Sequence, residues 1–134
     1  MKDLKFRIWD KQAKLLIVNE IWIYTDPLHV AIPNYKKYYS EEYLDSEPSN
    51  IEYGDDWIYL MDDFVLMLYS EIKDKNGKEI YEGDIVICDR FNTHEKYQVV
   101  IEDVRFIPDI LFGSELNYRE IIGNIFENPE LLQE

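Results

Sequence analysis

Cysteine is nearly absent. Cys88 stands alone in 134 residues, which excludes an internal disulfide and any zinc site built on several cysteines. Alanine, the best helix former, occurs only at positions 13 and 31. Positive charge is scarce too: 14 Lys and Arg face 28 Asp and Glu, a net charge of −14. Such a chain repels nucleic-acid phosphates and anionic lipid. No long hydrophobic run exists. The longest stretch of apolar residues and Tyr is Phe64 to Tyr69, far below the ~20 residues of a membrane span. No charged start followed by an apolar stretch and a small-residue cleavage site marks a secretory leader. Gly-x-Ser-x-Gly, phosphate-loop and dinucleotide fingerprints are missing as well. The expectation is a soluble, cytoplasmic acidic domain with no cofactor, no membrane contact and no direct nucleic-acid contact.

What the chain does have is β-formers. Ile, Val, Tyr, Phe, Trp and Thr account for 46 of its residues, and side chains of this kind suit a pleated surface. Leu4 to Trp9 alternates and pairs naturally with Leu15 to Val18 across a polar turn. Ile21 to Tyr24 reads as a continuation of that second strand past a kink at Asn19. Thr25-Asp26-Pro27 breaks it, and Pro33 ends the next extended piece. Ile51 to Tyr53, Trp57 to Met61 and Phe64 to Tyr69 follow as strands. The last is apolar throughout and predicts burial on both faces. Ile85 to Asp89 and Tyr97 to Ile101 predict a second hairpin. Val104 to Ile107, Ile110 to Phe112 and Glu120 to Phe126 add short strands. Pro129 opens at most one helical turn.

One segment has helical spacing. Tyr35, Tyr38, Tyr39 and Tyr43 fall at i, i+3, i+4 and i+8, and Asn34 stands where a cap belongs. A short helix over Asn34 to Leu44 is predicted. The fold class is therefore mainly β. A β-meander with a short helix precedes a short-stranded, barrel-like (SH3-like) C-terminal half. The chain reads as one domain over 1–134, with a possible seam near 62–63 between a 1–62 half and a 63–134 half.

The turn-richest stretch carries a motif. Lys73-Asp74-Lys75-Asn76-Gly77-Lys78-Glu79-Ile80-Tyr81-Glu82-Gly83-Asp84-Ile85-Val86 lies between an opening Lys5-Phe6-Arg7-Ile8-Trp9-Asp10 and a closing Gly123-Asn124-Ile125-Phe126-Glu127-Asn128-Pro129-Glu130-Leu131. In this order the three pieces resemble the YopX family of phage and prophage proteins at both ends and the middle, and the chain length suits the family's namesake. Where that family often has Gln-Tyr-Thr-Gly-Leu, this chain has Leu68-Tyr69-Ser70-Glu71-Ile72, so a glycine is replaced by Glu71. The resemblance implies a mainly β phage protein of uncharacterised role. It transfers no catalytic residue.

Turn chemistry explains the central motif on its own terms. Asn76-Gly77 is the favoured type I′ pair. Gly77 and Gly83 permit positive φ. Asp84 can accept backbone N–H bonds as the chain re-enters the sheet. Tyr81 and Glu82 belong to the same structural turn motif. Asp74 to Gly77 places its glycine too early for a calcium loop, which needs it at position 6. Asp55-Asp56 and Asp62-Asp63 suit exposed turns better than a metal site. Cys88 sits in an alternating strand, where a thiol packs as a small apolar group. His94 lies in a polar turn and His29 is remote, so no Cys–His pair is assigned. No catalytic, cofactor-binding or metal-ligating residue is assigned.

Charge is distributed unevenly. From Tyr38 to Ile72 there is no Lys or Arg, and ten acids fall in that stretch. A single-sign field steers encounters with a basic partner. Tyr35, Tyr38, Tyr39 and Tyr43, with Glu41, Glu42, Asp55 and Asp56, form the expected interaction surface, because Tyr favours interfaces. The same tyrosines would equally serve as the apolar face of a helix packed on the sheet. The leading expectation is a non-enzymatic protein–protein interaction module that forms a homo-oligomer. The alternatives are a small-ligand binder or enzyme with a pocket at the barrel mouth, and an acidic DNA mimic acting on a basic partner.

Overall fold

The computed structural model describes residues 5–18, 20–88, 95–98 and 119–132. The protein is mainly β, with antiparallel sheets, one of them curled as a half-barrel. Of the described residues, 6–66 form one compact unit, and residue 5 with those from 67 onward form the other.

In the 6–66 unit, β1 (Phe6–Asp10) and β2 (Leu15–Ile17) form the first hairpin, closing at Asp10 opposite Leu15. Residues 22–25 do not extend β2. They form β3 (Trp22–Thr25), which turns at Asp26-Pro27 into β4 (Leu28–Ile32). The Asp26–Pro27 peptide bond is cis. Next come β5 (Ile51–Tyr53) and β6 (Ile58–Leu60), and the second sheet runs in the order β3-β4-β6-β5. Strand order corrects the expectation here: tight pairing of β3 with β4 outweighs sequence continuity with β2. One face of this sheet packs with Ile8, Ile17, Tyr39 and Leu44 into a continuous core.

The helix expected over 34–44 is broken. Tyr35–Lys37 is a single 3-10 turn, and α1 (Glu41–Asp45) is separate. Asn34 makes no side-chain capping bond. The cap is Ser40, whose extended backbone ends the first piece and whose hydroxyl accepts Tyr43 N–H at 3.1 Å. A serine followed by Glu41 and Glu42 starts a helix better than it continues one.

Asp10 ties this unit together. Its carboxylate is fully buried. It accepts from Gln12 N–H (3.0 Å), Ala13 N–H (3.2 Å), Asn50 Nδ2 (2.8 Å) and the Tyr39 hydroxyl (2.5 Å). The first hairpin turn, the segment before α1 and the lead-in to β5 thus meet on one side chain.

β7 (Phe64–Lys73) carries the chain from the first unit into the second. It is half-buried along most of its length, with only Met67 and Ser70 buried, not covered on both faces as its apolar run predicts. In the second unit it pairs with β8 (Glu79–Tyr81). β9 (Asp84–Cys88) lies between β10 (Glu95–Gln98) and β11 (Arg119–Asn124). A 3-10 turn over Pro129–Leu132 follows, opened by the proline. The segments at 104–107 and 110–112, expected as strands, and His94 lie outside the described residues.

Candidate interaction face

The central and closing pieces of the sequence motif build turns, while the opening piece runs into β1. Only Gly77 of the Asn76-Gly77 pair takes a positive φ (82°), so the loop is not type I′. Asp74 overrides it: its carboxylate accepts Asn76 N–H at 2.8 Å and Lys78 N–H at 2.9 Å, and its carbonyl accepts Gly77 N–H at 3.0 Å. This is a turn finished by glycine in the left-handed region. Asp84 accepts Tyr81 N–H at 2.8 Å, Glu82 N–H donates to Leu68 O at 2.8 Å, and Gly83 has φ 89°. Tyr81 is buried beside Tyr69, with ring centroids 5.4 Å apart. Lys5 of the opening piece bonds Glu79 of the centre at 2.8 Å. In the closing piece, Asn124 Oδ1 accepts Phe126 N–H (3.0 Å) and Glu127 N–H (2.8 Å), while Asn128 N–H donates to Asn124 O at 2.8 Å.

The four tyrosines largely turn inward. Tyr39 belongs to the core, and Tyr35, Tyr38 and Tyr43 pack against it half-buried. Tyr38 donates to Val18 O, and the Tyr39 and Tyr43 rings stack at 6.0 Å. Burial first, then the bond to Asp10, pushes the Tyr39 phenol well above its ordinary value. Glu41, Glu42, Asp55 and Asp56 are exposed.

The exposed aromatic surface is the outer face of the β3-β4-β6-β5 sheet. Register places Trp22, Ala31, Tyr59 and Glu52 in one cross-strand row, and Tyr24 opposite His29 in the next. Alternation sends Ile23, Val30 and Leu60 to the core and these side chains outward. The rings touch in sequence. Trp22 meets Trp57 edge-on at 5.7 Å, and Trp57 meets Tyr59 at 6.1 Å. Tyr59 lies 6.5 Å from Tyr24 and 5.8 Å from His29, which stacks on Tyr24 at 4.8 Å. Ala31 is fully covered beneath them; its small side chain leaves room for rings on both neighbouring strands. Gly54 serves Trp57 in the same way, since a Cβ there would stand 2.6 Å from the indole Nε1. The network remains open to solvent: Trp22 is 47% and Tyr24 43% exposed.

Carboxylates edge this face. Glu52 continues the Trp22 row, and Asp55 and Asp56 occupy the β5–β6 loop that ends at Trp57. A cavity of about 720 Å³ is lined by Glu20, Asp55 and Asp56 together with Pro33, Asn34, Tyr35, Lys36 and Lys37. It lies in the 6–66 unit. The sequence reading named Asp55 and Asp56 but missed Trp22, Tyr24, His29, Trp57 and Tyr59. The signal for Trp22 and Tyr24 was present in the alternation of Ile21, Trp22, Ile23 and Tyr24. Among the described residues, no three His, Cys, Asp or Glu stand together as metal ligands, and no helix is long and apolar enough to cross a membrane.

Fold and surface together define a small antiparallel β protein, with polar motif residues committed to turns and an aromatic sheet face left open. The family model described as "YopX protein" matches residues 5–133, and the chain belongs to the YopX family. A similar solved structure is the crystal structure of protein EF1440 from Enterococcus faecalis, 27% identical, with a TM-score of 0.63 over 99% of this chain and 100% of that one. The crystal structure of YopX from Bacillus subtilis is similar in fold, with a TM-score of 0.58 at 17% identity, again over 99% of this chain and 100% of that one. At that identity the likeness to the Bacillus subtilis protein is one of fold. No curated protein matches the chain.

Proposed function

We propose that the protein is a non-enzymatic protein–protein interaction module of phage or prophage origin, working inside a bacterial cell, with the β3-β4-β6-β5 outer face as its contact surface. The observation that carries this reading is the ring network from Trp22 to His29, half open to water on a regular sheet. Solvated aromatic surface of this kind costs hydration free energy unless a partner covers it, and Tyr and Trp are the side chains interfaces favour. The buried acids Asp10, Asp74 and Asp84 support the reading from the other side, because backbone donors in turns already occupy them.

Photocrosslinking in expressing cells tests it. Benzoylphenylalanine replacing Trp22 or Tyr24 is expected to trap a discrete protein, while the same group replacing Lys78, in the exposed turn of the other unit, does not. Equal labelling from all three positions, or none from Trp22 and Tyr24, would remove the face from consideration.

A further inference from the structure

The chemistry of this face selects its occupant. We propose that it docks an arginine-bearing, basic segment of a partner protein, with guanidinium groups stacked on the rings and forked to the edging carboxylates; this rests on the reading of the face as a contact surface. Two features of different origin converge. The rings of Trp22, Tyr24 and Tyr59 present π-faces and edges at an open sheet surface, and a cation over such a face is attracted by the ring quadrupole. Glu52, Asp55 and Asp56 stand exposed at the border of the same surface, with Lys36 and Lys37 lining the cavity on the Asp55 and Asp56 side. A partner that satisfied only the rings would leave those carboxylates facing apolar groups. One that satisfied only the charges would leave the rings in water.

Arginine satisfies both. Its guanidinium is planar, weakly hydrated and able to stack while donating in-plane to a carboxylate; the compact lysine ammonium is strongly hydrated and does one or the other. A second copy of the chain fits worse. A symmetric contact would bring together two molecules that each carry −14, and like charges oppose association. Nucleic acid is disfavoured by the same field.

The test uses the purified full chain and three amidated peptides of equal length. They alternate glycine with arginine, lysine or neutral citrulline, and affinity is measured by fluorescence anisotropy at two salt concentrations. The arginine peptide is expected to bind about threefold to fivefold tighter than the lysine peptide, with the citrulline peptide weakest. Trp22→Ala/Tyr24→Ala leaves net charge unchanged and is expected to weaken the arginine peptide about tenfold while abolishing its advantage over lysine. Asp55→Asn/Asp56→Asn is expected to weaken both cationic peptides. Should the ring variant fold poorly, the wild-type protein still decides the matter. The arginine peptide should shift the indole N–H resonance of Trp22 and leave that of buried Trp9 in place. Equal affinity for arginine and lysine, undiminished by loss of the rings, would overturn the proposal in favour of charge alone. That result together with a specific crosslink from Trp22 in cells would leave the interaction face standing and remove only its arginine preference. A salt-independent oligomer that competes with the peptide would assign the face to a second copy instead.

Discussion

Glu71 is where a single residue departs from its family and the backbone shows the consequence. It stands where the family often has glycine, and its φ is 69°. The chain bends there, because the register of β7 against β8 shifts between Tyr69 and Lys73, and Ser70 Oγ accepts Ile72 N–H at 3.2 Å to hold the bend. A left-handed conformation costs an L-residue about 1–2 kcal/mol, while glycine adopts it freely but loses more entropy on folding. Glu71→Gly is therefore expected to stabilise the protein by about 0.5–1 kcal/mol, read as a higher urea midpoint at unchanged slope. Gly83 is the converse. Its φ is 89° and an added Cβ would stand 3.0 Å from Met67 Sδ, so Gly83→Val should destabilise by about 1–3 kcal/mol. An unchanged urea midpoint would show that the turn relaxes.

At the scale of elements, the β1–β2 turn, the segment before α1 and the lead-in to β5 are held through Asp10. Tyr39→Phe removes one donor from a buried carboxylate and is expected to cost about 1.5–3 kcal/mol. The same bond makes stability sensitive to alkali. Burial and Asp10 raise the Tyr39 phenol above its ordinary value of 10.0, so the folded state keeps a proton that the unfolded state gives up. That contribution is fully present below about pH 10 and is lost as pH rises further, at up to about 1.4 kcal/mol per pH unit. Urea midpoints between pH 9 and 11 should fall more steeply for the wild type than for Tyr39→Phe. Parallel slopes would show that Tyr39 does not govern alkaline unfolding.

For the whole molecule, the net charge of −14 gives its two kinds of association opposite responses to salt. Contact between copies must overcome mutual repulsion, so any self-association should strengthen as salt screens it. Contact with a basic segment draws on attraction and should weaken, retaining the part that stacking supplies. Sedimentation velocity at low and high salt, with and without an arginine peptide, separates them. Self-association that declines with salt would show that ion pairs hold the copies together.

Local constraints were legible in the sequence. Period-two alternation marked β1 and β9, and turn chemistry placed Gly83 and Pro129, because side-chain direction and φ are set within a few residues. The motif's structural character was readable for the same reason: Asp84 accepts from Tyr81, three positions away, and the positive φ of Gly83 is a property of its own backbone. What required the tertiary structure was everything that depends on distant pairing. Tyr35, Tyr38, Tyr39 and Tyr43 have the same spacing in a continuous helix as in the broken path the chain takes; the Ser40 cap and the bond from Tyr39 to Asp10 decide between them. Trp22 and Tyr24 alternate with Ile21 and Ile23 in either register, but only pairing with β4, and through it β6, shows which side meets the core. A strand's pattern states that its two faces differ, and the partners it finds across the sheet determine which of them is left in water.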